Sequence, residues 1–193
     1  MAADGGGRPQ EEGGEVEEHE LDAQDLARRR AALAQIRQYP DAVLRMRARE
    51  VEVFDEDLAR LADRMGHLMH DARGVGLAAT QVGVLQRLFV FHKGDDEGLT
   101  TVVNPEIASR SKDTAVFEEG CLSLQGVLVP VERAVKVTLV GADVQGNPLE
   151  LSSGSGISVG RGQILVGAGT SSVNLVVTNV LGLQKALIKQ VSC

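Results

Sequence analysis

Apolar positions recur at helical spacing in two early stretches and then give way to short β-type runs. Between Asp22 and Gln38, Leu26, Leu33 and Ile36 stand among Ala and Arg, which predicts a helix ending before Tyr39-Pro40. A second helix is marked more strongly, because Leu58, Leu61, Met65, Leu68, Met69 and Ala72 share one face. Asp55 can cap it, Glu56 and Asp57 fall in the first turn where the macrodipole favours acids, and Gly74 is the expected stop. Strand-like runs follow at R-L-F-V-F (87–91), T-T-V-V-N-P (100–105), L-V-P-V (128–131) and V-K-V-T-L-V (135–140), with turn signals at Gly94-Asp95 and Gly146-Asn147. Two helices followed by mostly antiparallel strands predict an α+β fold, since the regular strand–helix alternation of a doubly wound sheet is absent.

Composition divides the chain into three. Residues 1–21 are rich in Gly and Glu without apolar periodicity and are expected to be a disordered acidic leader; 22–151 carries the patterned domain; 152–193 is a Gly/Ser-rich tail of different character. All 27 acidic residues precede residue 151, against 17 Lys and Arg, whereas 151–193 holds only Arg161, Lys185 and Lys189 as charged residues. Weak β-like runs occur there at Ile164 to Val166 and Val173 to Val180, with a short helical pattern at Gln184 to Val191. The segment G-S-G-I-S-V-G-R-G reads as a linker rather than a phosphate loop, for want of a preceding buried strand and a following helix. A net charge of −7 with no basic stripe argues against a nucleic-acid partner. Neither a signal-like N-terminus nor a bilayer-length apolar run is found, so no membrane role and a cytoplasmic location are expected.

Two stretches carry candidate chemistry. In E-G-C-L-S (119–123), Cys121 follows Glu118 and Glu119, acids that would raise the pKa of a free thiol, whereas a bound divalent cation would deprotonate it and leave the carboxylates to hold a base such as Arg133. The alternative is a small buried residue at a strand end. In G-V-G-L-A-A-T-Q (74–81), Gly74 and Gly76 allow a sharp turn and close approach to a ligand, and Gln81 supplies an amide donor; read alone, it is a helix stop and a tight connection.

Together the two stretches resemble the motifs of the peptide deformylase family. Gly74, Gly76, Leu77, Ala78, Ala79 and Gln81 match the fixed positions of its Gly-x-Gly-Leu-Ala-Ala-x-Gln motif, and Glu119 to Ser123 match Glu-Gly-Cys-Leu-Ser in full. Tyr39-Pro40, the long helix from 55 and V-N-P at 103–105 fall in a similar order, so the resemblance covers about 22–151. It implies a mononuclear metal hydrolase, with ferrous iron or else zinc or nickel, that removes the formyl group from the N-terminal formylmethionine of nascent polypeptides, with the ribosome as a further partner. It assigns Cys121 as a metal ligand, Gln81 and the backbone N–H of Leu122 as donors to the formyl oxygen, and Val75 and Gly76 as backbone contacts to an extended peptide. Such a donor is commonly worth ~3 to 4 kcal/mol.

The family's third motif, His-Glu-x-x-His on a helix, supplies the other two ligands and the general acid/base, and this sequence lacks it. Its four His, at 19, 67, 70 and 92, all precede Cys121, and His19-Glu20 has Ala23 where the second His would stand. His67 and His70 read as a surface pair on the second helix and His92 as a surface or loop residue. The expectation is therefore an incomplete, truncated family domain with impaired catalysis, or alternatively a non-catalytic binder of extended peptide N-termini. Without the third helix, Leu77, Leu122 and the apolar face of the second helix are expected to be partly uncovered, folding to be marginal and Cys121 to be open to oxidation.

Overall fold

A computed structural model describes residues 23–92, 98–152, 157–160 and 163–166. The acidic leader, the Gly94-Asp95 turn, and the tail patterns at Val173 to Val180 and Gln184 to Val191 lie outside the described residues. Among the described residues two α-helices precede nine strands: α1 (Ala23–Gln35), α2 (Glu56–Asp71), β1 (Gly76–Ala78), β2 (Leu88–His92), β3 (Leu99–Arg110), β4 (Thr114–Cys121), β5 (Leu124–Ala134), β6 (Val137–Ala142), β7 (Pro148–Ser152), β8 (Ile157–Gly160) and β9 (Gln163–Val166). An antiparallel five-stranded sheet runs in the order β1-β2-β3-β6-β7, while β4-β5 and β8-β9 form separate two-stranded pairs. This is the α+β arrangement the sequence predicts.

Helix α2 starts as its sequence dictates, with the Asp55 carboxylate accepting from Leu58 N at 3.0 Å and Glu56 and Asp57 in the first turn. Its end differs from expectation. Arg73 takes the left-handed turn at φ +57°, and the Gly74 N–H then donates to Met69 O at 2.8 Å. Gly74 is small for another reason: a Cβ there would lie 2.5 Å from Leu122 Cδ1, so a side chain at this position would have to push the Leu122 side chain aside.

The apolar face of α2 packs with α1 and one side of the sheet around Ile36, Val51, Met65, Met69, Leu77, Leu88 and Val90. Phe89 and Phe91 alternate to the opposite face and join Ala78, Val102 and Leu139. The expected exposure of Leu77 and of the α2 face is not found: Leu77, Met65 and Met69 are 0% exposed and Leu58 4%. These residues pack among α2, β1, β2 and β3, with Leu122, Ala142 and Val144 added from later in the chain. Leu122 is half-buried. Leu26, expected among the apolar positions of the first helix, is 48% exposed.

Candidate functional site

The first half of the site is built on β1. Gly76, Leu77 and Ala78 pair with Phe91, Val90 and Phe89 of β2, so the stretch expected to be only a connection is a short edge strand. After it the chain tightens into a 3-10 turn, Ala79–Val82, closed by Gly83 at φ +83°. The turn brings the Gln81 side chain back over β1, where its Oε1 accepts from Ala78 N at 2.9 Å. One end of the buried amide is thereby fixed and the Nε2 donors are aimed across the site. Neither Gly74 nor Gly76 has a positive φ, so the sharp turning expected of them falls to Arg73 and Gly83. The Val75 carbonyl accepts from His92 N at 3.3 Å, which turns it towards β2.

The second half is the tip of the β4-β5 hairpin. Glu119 pairs with Val129, but Cys121 pairs with Leu124, and this slip in register closes the hairpin on a two-residue turn, Leu122-Ser123. The extra β5 residues are accommodated around Gly126 at φ +74°. Arg133 holds the base of the hairpin by a bidentate pair to Glu119 at 2.8 and 2.7 Å, with the Glu119 side chain only 1% exposed.

The two halves meet at Gln81. Its Nε2 donates to Ser123 Oγ at 3.0 Å and stands 3.7 Å from Cys121 Sγ, joining motifs 40 residues apart in sequence. The thiol also receives hydrogen bonds from the backbone and hydroxyl of Ser123 and the N–H of Leu124. These favour a thiolate, yet burial outweighs them, and with a smaller push from Glu119 it holds the thiol pKa above its ordinary value. The direction matches expectation while the main cause is desolvation; Glu118 is exposed.

Residues 36–39 bridge the halves from behind. Arg37 N donates to Gln81 O at 2.7 Å, Tyr39 N to Ser123 O at 2.8 Å, and Gln38 Nε2 to Leu122 O at 3.0 Å. Ser123 was within reach of sequence reasoning because it belongs to the Glu-Gly-Cys-Leu-Ser match; Gln38 lies in no motif and had no signal.

The three described histidines find their partners on α2 and β2. His67 is exposed with Nδ1 2.9 Å from Asp63 O, and His70 is exposed beside Asp71. His92 is half-buried and meets the His70 ring edge-on at 6.3 Å, a contact the sequence did not suggest. Among the described residues no group of three or more His, Cys, Asp or Glu is placed to hold a metal ion. Both Glu119 oxygens are taken by Arg133, and residues 153–193 contain no His, Asp or Glu. Among the described residues, the donor set around Cys121 therefore does not fit a mononuclear metal centre.

The family described as polypeptide deformylase matches residues 33–157 of this 193-residue chain. The chain belongs to the peptide deformylase family. The peptide deformylase of Thermotoga neapolitana is 44% identical over 115 residues, spanning 60% of this chain and 69% of that protein. The crystal structure of a peptide deformylase from Legionella pneumophila superposes with a TM-score of 0.59 at 48% identity, covering 63% of this chain and 71% of that one. The Thermotoga maritima peptide deformylase gives 0.58 at 42% identity over 61% and 78% of the two chains. The family is metal-dependent and acts on the N-termini of nascent polypeptides. No helix among the described residues is long and apolar enough to cross a membrane.

Proposed function

We propose that this chain is a deformylase-family protein that keeps the carbonyl-recognition half of the active site and lacks the hydrolytic half. The observation that carries this reading is the junction of Gln81, Cys121 and Ser123, assembled in a sequence that offers no His-Glu-x-x-His to complete it. Gln81 and the Leu122 N–H bind the formyl oxygen of a formylmethionine N-terminus as donors, and the edge strand β1, entered at Val75 and Gly76, receives the extended peptide. For Gln81 this requires that one Nε2 hydrogen turn from Cys121 or Ser123 to the ligand. Cys121 remains the inherited ligand position for iron, zinc or nickel, but one thiol leaves a metal short of ligands and an attacking water without a base. Turnover is therefore impaired. The partners are nascent N-termini in the cytoplasm, met at the ribosome, and the domain runs from 22 to 151 between an acidic leader and a divergent tail.

The test is formate release from a formyl-Met peptide by the purified chain, with metal content measured on the same sample. Binding of the peptide with turnover far below that of the Thermotoga maritima enzyme supports the reading. One tightly held metal per chain with comparable turnover refutes it.

A further inference from the structure

A groove of about 1680 Å³ lies between the chain from 45 to 53, the start of α2 and the chain from 80 to 87, and neither Cys121 nor Gln81 lines it. Arg45, Arg47 and Arg49 all line it and are all exposed. Arg45 donates to the Pro40 carbonyl at 3.2 Å, which leaves its charge uncompensated, and among the described residues the side chains of Arg47 and Arg49 have no partner. The carboxylates of the groove are placed differently. Glu50 and Glu106 flank Arg87 at 2.8 and 3.7 Å, Asp57 pairs with Arg60 and Asp55 caps α2, which leaves Glu52 unpaired. The 45–49 stretch is therefore a cationic strip on a domain that is acidic as a whole, since residues 22–150 hold 20 Asp and Glu against 16 Lys and Arg. Thr80 also lines the groove, at 5% exposure, and among the described residues its hydroxyl makes no hydrogen bond. A nearly buried hydroxyl is ordinarily paired, so an occupant that brings an acceptor oxygen is stabilised there.

We infer that this groove is the docking surface for the chain's own acidic leader, residues 1–21, held by Arg45, Arg47 and Arg49. The leader has seven acidic residues against one Arg, and six of the seven fall between 11 and 20. Its glutamates supply what the strip and Thr80 lack, carboxylate oxygens that accept from guanidinium and hydroxyl alike. The acidic remainder of the domain repels such a segment, which confines the attraction to places where Arg stands without a carboxylate. A tether of that length extends up to roughly 70 Å, about three times the length of α2, so the groove is within reach of the start of α1. Exposed ion pairs are individually weak, but tethering makes the contact intramolecular, and several weak pairs then suffice. The inference does not depend on peptide binding at Gln81 and Leu122.

The experiment uses the full chain as Val16→Cys with Cys193→Ser, labelled with 15N and carrying a nitroxide on the leader. The amides of Arg47, Arg49 and Thr80 are expected to broaden, and high salt to abolish the broadening. Arg47→Glu with Arg49→Glu also abolishes it. Changing Glu11, Glu12, Glu15, Glu17 and Glu18 to Lys in that background restores it, a recovery that damage to the groove could not give. Reversing Arg30 and Arg64, two exposed arginines on α1 and α2 outside the groove, leaves the broadening in place. No broadening at these amides in the chain with its charges intact overturns the inference. Equal loss on reversing Arg30 and Arg64 also overturns it, because the leader then follows charge anywhere on the domain. Broadening of 15N chains without nitroxide, when mixed with nitroxide-bearing chains without 15N, shows that a second copy's leader fills the groove and overturns docking within one chain.

Discussion

Helix α2 and the β4-β5 hairpin both carry apolar rows, and they meet different fates. The helix buries its row completely against α1 and the sheet, with Met65 and Met69 at 0% exposure. The hairpin buries Val129 and Val131 on one side and leaves Val116 66% and Leu128 53% exposed on the other. The site sits where these regions join, Gln81 coming from the packed scaffold and Cys121 and Leu122 from the hairpin. Polar links hold the hairpin's half in place: Glu119 with Arg133, Gln81 with Ser123, and the bonds from residues 36–39. The scaffold half is therefore set by close packing, and the hairpin half by a few directional contacts that single substitutions can remove.

Substitutions should separate the two regions by size of effect. Met65→Ala in the scaffold should cost about 4 kcal/mol in urea unfolding, because a fully buried side chain leaves a cavity. Arg133→Met in the hairpin should cost about 3 kcal/mol, because it strands the buried Glu119 carboxylate, and it should also loosen Cys121. Equal thiol reactivity before and after Arg133→Met would show that the pair does not organise the hairpin tip. Gly74→Ala should cost about 1 to 2 kcal/mol, because the new Cβ pushes Leu122 aside at the seam between the regions. Leu128→Thr on the exposed hairpin face should stay within about 0.5 kcal/mol of the unmodified chain. A larger loss would mean that this face is covered.

The thiol offers a pH test of the same seam. Burial raises the Cys121 pKa in the folded chain, so the folded state holds its proton in a window where the unfolded state has lost it. The contribution to stability is present below the unfolded thiol's pKa and disappears as pH rises through the folded value. In a Cys193→Ser background, which leaves Cys121 as the sole thiol, alkylation should remain slow at neutral pH and quicken only above the ordinary thiol range. Fast alkylation at neutral pH would contradict the packing described for the junction.

The scaffold was legible in the sequence to the extent that its signals were local. Asp55, Glu56 and the apolar row of α2 each act within one helix, and they fixed its start and its buried face. β7 was missed, as was β4; β1 was concealed because three residues of Gly-Leu-Ala have no period to read, and only pairing with β2 makes them a strand. The role of Gly74 was misread for a similar reason: its constraint is contact with Leu122, 48 positions away, and not its own backbone angle. Cys121 and Gln81 were picked out through motif resemblance; that they stand 3.7 Å apart, from stretches 40 positions apart, is long-range geometry that no local pattern encodes. The burial of Leu77 was also beyond a local reading, since its neighbours come from α1, α2 and the sheet.

The central claim is that the recognition half is built and the hydrolytic half is not supplied. It is tested most directly by a chimera in which residues 152–193 are replaced by the C-terminal segment of the Thermotoga maritima enzyme, with metal content and formate release measured beside the unmodified chain. The account predicts that the chimera gains one metal per chain and turns over a formyl-Met peptide at a rate approaching that of the donor enzyme, while the unmodified chain does neither. A folded chimera that stays metal-free and inactive would show that the junction of Gln81, Cys121 and Ser123 is no longer a deformylase half-site, and would contradict the account.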